Sequence, residues 1–308
     1  MKWKNYLPII GVALFIYILI KVNIYNIFRE ISNANIFFIF LSLIFVLIGL
    51  FTQTLKWFVI AKKQKMNLNF KEAFKINFVS NFYGFITPSK IGTIIRVEYL
   101  KKYTGNIGKG LCNFILDKIL DTASVIFIAI LFSYIFKNKF EIPLGIFTSL
   151  LFGFILITLF FINKDRSKFF LKIFFRRFVP ERMENKARLT FDSFYENIPR
   201  KRYFLQFFLL NLINWIVIYF VMYIIALSLN INVPFIYFLA ILPIGTLVSM
   251  IPISISGLGT REVVLISLFK IFEVSATKVV SMSILTLLIT TIIPAIIASF
   301  LIFRKNID

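Results

Sequence analysis

The sequence predicts an all-α protein that crosses a membrane several times, with about six full spans and two re-entrant helical hairpins arranged as an inverted repeat. Three observations carry that prediction. Of the 308 residues, 59% are hydrophobic and 40 are Phe, with a mean hydropathy of +0.87. A soluble core of this size needs far less apolar side chain, and several stretches exceed the ~18 low-charge residues that bridge a ~30 Å hydrocarbon layer. The Lys and Arg residues are distributed unevenly between the loops. Finally, two apolar stretches, within Asn81–Asp121 and Pro252–Glu262, are broken by Pro and Gly and carry ionisable residues. Broken backbone and charge are both costly in hydrocarbon, and they persist where protein or a water-filled cavity surrounds them.

Taken in order, the first span covers about Tyr6–Ile20 and continues to Lys21, whose amine snorkels. The charged start and apolar run have parts of a signal peptide but no small-residue cleavage site, so the segment reads as a retained span. The second span is Ile36–Ala61, with Lys56 and Trp57 near its end. Phe74–Leu100 reads as a helical hairpin turning near Thr87-Pro88, because Pro88 lacks an N–H and biases Thr87 away from the helical region. The third span is Lys109–Phe136 and the fourth Pro143–Ile162. Residues 164–202 hold 12 Lys/Arg against 5 acids. Within them, Lys168, Lys172 and Arg176 repeat on one helical face and Phe170, Phe174 and Phe178 on another, a pattern suited to an anionic headgroup layer. The fifth span is Phe204–Leu229. Phe235–Ile255 runs into the second break, Thr260–Phe269 returns, and Ala276–Phe303 is the sixth span, kinked at Pro294.

With the N-terminus inside and both broken segments re-entrant, seven cations fall outside: Lys21, Arg29, Lys137, Lys139, Arg261, Lys270 and Lys278. Lys56 and Lys118 lie within spans, which leaves 26 of the 35 Lys/Arg inside, as the positive-inside rule requires. Both termini are thus expected on the cytoplasmic side of the cell membrane. The chain reads as one transmembrane domain, 1–308. A first repeat spans 35–136, a linking span and basic cytoplasmic segment 137–202, and a second repeat of opposite orientation 203–304. Inverted repeats with broken helices meeting at mid-membrane are a recurrent transporter design.

Six ionisable residues stand out. Asp117 and Asp121 are four apart on one helix face, with Asn113 one turn earlier. Asp121 lies 12 residues beyond Lys109, ~18 Å into the layer. Lys118 is three residues from Asp121, and Arg96 or Lys56 could pair with either Asp. Arg96, one turn after Gly92, offers a planar fork for phosphate or for an internal carboxylate, and a helix starting after Pro88 would add free N–H groups. Arg261 and Glu262 follow Gly257 and Gly259. Because adjacent residues face different ways on a helix, Glu262 is expected to find its partner elsewhere. Glu262 is a candidate for proton movement or gating. The backbone of Pro88, Gly92, Pro252, Gly257 and Gly259 builds the two hairpins.

Other chemistries lack their residues. The chain has no His and a single cysteine, Cys112, which excludes an intrachain disulfide and a Cys-cluster metal site. No phosphate-loop motif, DxD motif, Ser/His/Asp set or zinc spacing occurs. No cofactor, metal or nucleic-acid partner is expected; the net charge of +21 reads as topology and lipid contact.

The run N-F-Y-G-F-I-T-P-S-K-I-G-T-I-I-R from Asn81 to Arg96 resembles the first signature of the flippase-like transmembrane region of lysylphosphatidylglycerol synthetases and their stand-alone relatives. Asp117-Lys118 and Asp121 resemble its acidic–basic step, with Lys118 in place of the common Arg. Ile251 to Glu262 resembles its second signature, with Ser256 for the first glycine of a pair; Ser89 and Lys90 stand where a glycine often follows the proline. The resemblance runs from about residue 6 to 303. It implies movement of a phospholipid or polyprenyl-phosphate headgroup between leaflets rather than lipid aminoacylation, since the chain ends at Asp308 without a transferase domain. Alternatives are a membrane-embedded transferase, a small-solute carrier or a non-catalytic accessory protein of envelope lipid or glycan assembly. The expected partners are membrane lipids, with anionic headgroups at residues 164–202, and enzymes of envelope biosynthesis.

Overall fold

A computed structural model describes residues 7–137, 144–168, 181–250 and 259–305. The tip of the second break, with Pro252 and Gly257, and the basic face around Lys172 and Arg176 lie outside them. Helices joined by short turns make up the described residues, with no strand among them, and the protein is an all-α polytopic membrane protein. Among the described residues three stretches, Ile36–Lys63, Lys201–Ser228 and Ala276–Ser299, are long and apolar enough to cross a membrane.

Helix α1 (Leu7–Val22) ends at Asn23, whose backbone turns through φ 68° and whose side chain caps α2 (Ile24–Ser32) by accepting from the Tyr25 N–H. That short amphipathic helix has no counterpart among the predicted elements. It seats Ile27 against Ile18 and Val280. Helix α3 (Ile36–Lys63) starts under an Asn35 cap and spans ~42 Å at 1.5 Å per residue. Ile36, Phe37, Phe40, Ile44 and Leu47 form an exposed apolar stripe along it, suited to lipid.

The first break turns where the sequence places it, at Thr87-Pro88. Helix α4 (Phe70–Ile86) opens with a capping box between Asn69 and Glu72. Thr87, extended at φ −112° and ψ 146° ahead of the proline, ends it. A 3₁₀ run, Pro88–Ile94, then leads into α5 (Ile95–Thr104). The Thr87 hydroxyl closes the turn: it donates to the Tyr83 carbonyl at 3.0 Å and accepts from the Gly92 N–H at 2.6 Å. Gly92 is required there, because a Cβ would collide with the Tyr83 carbonyl. Gly105, at φ 65°, ends α5 with a left-handed cap.

Helix α6 (Ile107–Ile135) follows an Asn106 cap, and α7 is Leu144–Ile162. Helix α8 (Glu181–Glu196) crosses the start of α6, so closely that a Cβ on Gly108 would collide with the Thr190 carbonyl. Outside the spans, Lys164 bonds Asp192 at 2.8 Å, and that bond holds the Asp192 carboxyl below its ordinary range. Helix α9 (Phe204–Ser228) packs along α3; α10 (Phe235–Met250) contains Pro243; α11 is Thr260–Phe269 and α12 Ala276–Leu287. At the expected Pro294 kink the chain widens into a π turn, Leu288–Ile292, before α13 (Ile293–Lys305). Proline cannot donate to the carbonyl four residues back and its ring crowds that group, which one wider turn relieves.

The core lies between α3, α9, α10, α11 and α12, where Leu50, Tyr219, Phe238, Phe269 and Met282 are buried together. Around it, α4 packs on α13 and α10 packs on α6.

Candidate functional site

Five charged side chains converge where α3, α5 and α6 meet. Lys56 is almost fully buried on a predominantly apolar helix. Its Nζ lies 2.6 Å from Asp121 Oδ1 and 3.0 Å from Asp117 Oδ1, so it bridges the two carboxylates that the i,i+4 spacing puts on one face. It also donates to Asn211 Oδ1 at 3.1 Å, an oxygen aimed by the Asn211 amide's own bond to the Phe207 carbonyl. Arg96 donates to Asp117 Oδ2 at 3.0 Å. Its guanidinium lies over the rings of Trp57 and Phe114, at 4.8 and 5.2 Å, a cation–π arrangement that suits a desolvated Arg. Trp215 Nε1 completes Asp121 at 3.1 Å. Ile60, Leu116, Leu120 and Phe207 seal one side with hydrocarbon.

One member faces outward. Lys118 Nζ is 4.0 Å from Asp121 Oδ2, and its side chain is 44% exposed, against 2% for Lys56. Asn113, one turn before Asp117, bonds the Trp57 carbonyl and Gln64 at 3.1 Å each, so three successive turns of α6 are fastened to α3. Of the two roles open to Arg96, the structure shows the internal ion pair. The stretch after Pro88 is 3₁₀ rather than α, and one of its N–H groups, that of Gly92, is bonded to the Thr87 hydroxyl.

Arg261 and Glu262 form a separate group. Glu262, with no exposed surface, accepts from the Gly259 N–H at 2.6 Å, from Arg261 Nε and Nη2 at 3.2 and 3.1 Å, and from the Ser283 hydroxyl. Arg261 Nη2 also donates to Ser283 Oγ at 2.5 Å. Glu262 does find a partner elsewhere, in Ser283, but it also pairs with its neighbour Arg261, which helix spacing did not anticipate. Glu262 turns back to cap its own helix at Gly259, whose φ is 86°, and the long Arg261 side chain wraps that first turn to meet it.

Among the described residues no ion pair joins the two groups, but a line of contacts does. Trp215, on Asp121, lies against the Tyr219 ring with centroids 5.5 Å apart, and the Tyr219 hydroxyl is 3.3 Å from Thr246 Oγ1. The adjacent Gly245 leaves room for Arg261, since a Cβ there would sit 3.3 Å from Arg261 Cγ.

Sequence reasoning named Lys56 only as a partner and did not single out Asn211, Trp215 or Ser283. A lysine 20 residues into an apolar span was the available signal for Lys56. An Asn and a Trp four apart on one face of an apolar helix was the signal for the other pair on α9.

The family model of the lysylphosphatidylglycerol synthase transmembrane region matches residues 8–298, and the chain belongs to that family. UPF0104 membrane protein PH1989 of Pyrococcus horikoshii is 27% identical to it over 326 residues, covering 98% of this chain and 97% of the relative. UPF0104 membrane protein MJ1595 of Methanocaldococcus jannaschii is 25% identical over 98% of this chain and 95% of the relative.

Proposed function

We propose that this member of the lysylphosphatidylglycerol synthase transmembrane family carries an anionic lipid headgroup, on a phospholipid or a polyprenyl phosphate, between the leaflets of the cell membrane. The observation that carries the reading is a charge imbalance. Lys56, Arg96 and Lys118 face Asp117 and Asp121, three cations to two anions, and the cation in excess is the exposed one. Lys118 lies 11 residues beyond Ile107, ~16 Å along α6, so its charge is held near mid-layer. An isolated cation there costs about 2.5–3.5 kcal/mol. A passing phosphate supplies the missing negative charge, and the carboxylates keep Lys56 and Arg96 from trapping it.

In this reading the units 35–136 and 203–304 are an inverted repeat and both termini are cytoplasmic. Reciprocal packing supports the repeat: α3 lies on α9, while α4 meets α13 as α10 meets α6. Each hairpin is also tied to the helix that follows it through an Arg, Arg96 to Asp117 and Arg261 to Ser283.

Proteoliposomes holding the purified protein and a trace of acyl-labelled fluorescent phosphatidylglycerol test the proposal. Dithionite added outside should quench inner-leaflet label faster than in empty vesicles. Lys118→Met should slow this at least tenfold, and equal rates with and without protein would overturn the function.

A further inference from the structure

We infer, on the premise of that translocase reading, that the site selects headgroups that are net anionic and bear hydroxyls, and rejects headgroups carrying an ammonium group. The argument starts from the carboxylates. An ammonium group in a low-dielectric site needs an uncommitted anion, because burying a charge without a partner is expensive. Among the described residues, helices α3, α6 and α9–α13 offer Asp117, Asp121 and Glu262. Asp117 is shared by Lys56 and Arg96. Asp121 takes Lys56 and Trp215 on one oxygen and faces Lys118 with the other. Glu262 accepts from a backbone N–H, an Arg and a Ser, with no surface exposed. Glu98, on the hairpin itself, is 63% exposed and paired with Lys101 at 3.4 Å, away from the buried Arg96. None of these carboxylates is left over for a cation, whereas the cluster's three cations outnumber its two carboxylates by one, and Lys118, held by Asp121 only at 4.0 Å and half-exposed, is the one an anion can reach.

A largely buried polar seam beside the cluster is neutral. On the far side of Trp57, whose Nε1 lies 3.4 Å from Asn77 Oδ1, three amides link α3 to α4. Gln53 Oε1 accepts from Asn77 at 3.1 Å and from Asn81 at 2.8 Å. Ser80, beside Asn81, is 3% exposed, and its hydroxyl has no hydrogen-bond partner among the described residues. Amides and hydroxyls can exchange bonds with the hydroxyls of a glycerol or sugar headgroup and cannot neutralise an ammonium. The site therefore pairs one exposed cation with a neutral hydrogen-bonding seam.

The test is native mass spectrometry of the detergent-solubilised full chain against equimolar phosphatidylglycerol, phosphatidylcholine and the lysyl ester of phosphatidylglycerol. Phosphatidylglycerol adducts should exceed either other adduct at least fivefold. Lys118→Glu, a change at a half-exposed position, should reverse the order. Gln53→Leu should lower phosphatidylglycerol occupancy several-fold while leaving phosphatidic acid, which lacks the hydroxyls, unchanged. Excess glycerol 3-phosphate should leave the lipid adducts in place; their displacement would make the ligand a soluble phosphate. Equal binding of the three lipids, or an unchanged order in Lys118→Glu, overturns the selectivity even if headgroups are translocated. Equal loss of both lipids in Gln53→Leu overturns the hydroxyl component. Selective binding without translocation in vesicles would uphold the selectivity and sink the translocase reading on which it was built.

Discussion

Replacing Lys56 with Met should be more damaging than its single ion suggests, and the damage should be repaired by a second change. At the 2.6 Å separation from Asp121, Coulomb's law with an effective dielectric of 20 gives a gross attraction of about 6 kcal/mol. Desolvation of both groups consumes several kcal/mol of that, so the intact pair is worth little net. Breaking it is different. Lys56→Met leaves Asp117 with Arg96 alone, and leaves Asp121 with an indole N–H and an ammonium 4.0 Å away, which should cost about 3–5 kcal/mol. Asp121→Asn keeps Lys56 on Asp117 and Asn211 and should cost about 1–3 kcal/mol. In the double variant the orphaned carboxylate is gone, and the cluster regains its single excess positive charge. The two changes should therefore fall short of additivity by about 2–3 kcal/mol, measured by equilibrium unfolding in mixed micelles titrated with denaturing detergent. Translocation should follow the charge: lost in Lys56→Met, where the cluster becomes neutral, and partly recovered in the double variant. Additivity within about 0.5 kcal/mol would refute the coupling. A stable double variant with no recovery would refute the idea that net charge, rather than Lys56 itself, recruits the headgroup.

Three further outcomes test individual parts. Gly92→Ala should destabilise the first hairpin by about 1–3 kcal/mol, because its Cβ meets the Tyr83 backbone rather than a movable side chain; faster hydrogen exchange confined to α4 and α5 would report it. Gly108→Ala should prise α8 from α6, read as new protease cleavage within Glu181–Glu196, with α3 and α9 unaffected. Trp215→Phe keeps the ring against Tyr219 but removes the donor to Asp121. It should cost about 1 kcal/mol of stability and slow translocation more than Trp215→Leu slows an unrelated marker's leak, which separates a positioning role from general loosening.

The elements that the sequence announced most clearly are those set by one-dimensional rules. Proline's missing N–H placed the first turn at Thr87-Pro88, and the structure ends α4 there. The run of apolar residues from Ile36 placed α3 to within its last two residues, and Thr260–Phe269 returns as a helix with the same bounds. The amphipathic helix at Ile24–Ser32 was not anticipated, because its nine residues are too short to show in a span-length hydropathy window; its signal was the Asn23 cap and the buried Ile27. In the site, spacing alone put Asp117 and Asp121 on one face, and charge in hydrocarbon made Arg96 and Lys56 plausible partners. What spacing could not give is the direction of long side chains. The pairing of Arg261 with Glu262 was ruled out by helix geometry at the Cβ atoms, yet it forms at the far ends of two flexible chains around a helix start. The same freedom sets where Lys118 lies. Its Cα is fixed one residue beyond Asp117, but its side chain, alone among the cluster's cations, is half-exposed. On the proposed reading, five fully buried ions would only lock helices together, and the half-exposed lysine is what leaves room for a headgroup. That difference lies in the direction of one side chain, which no hydropathy pattern records.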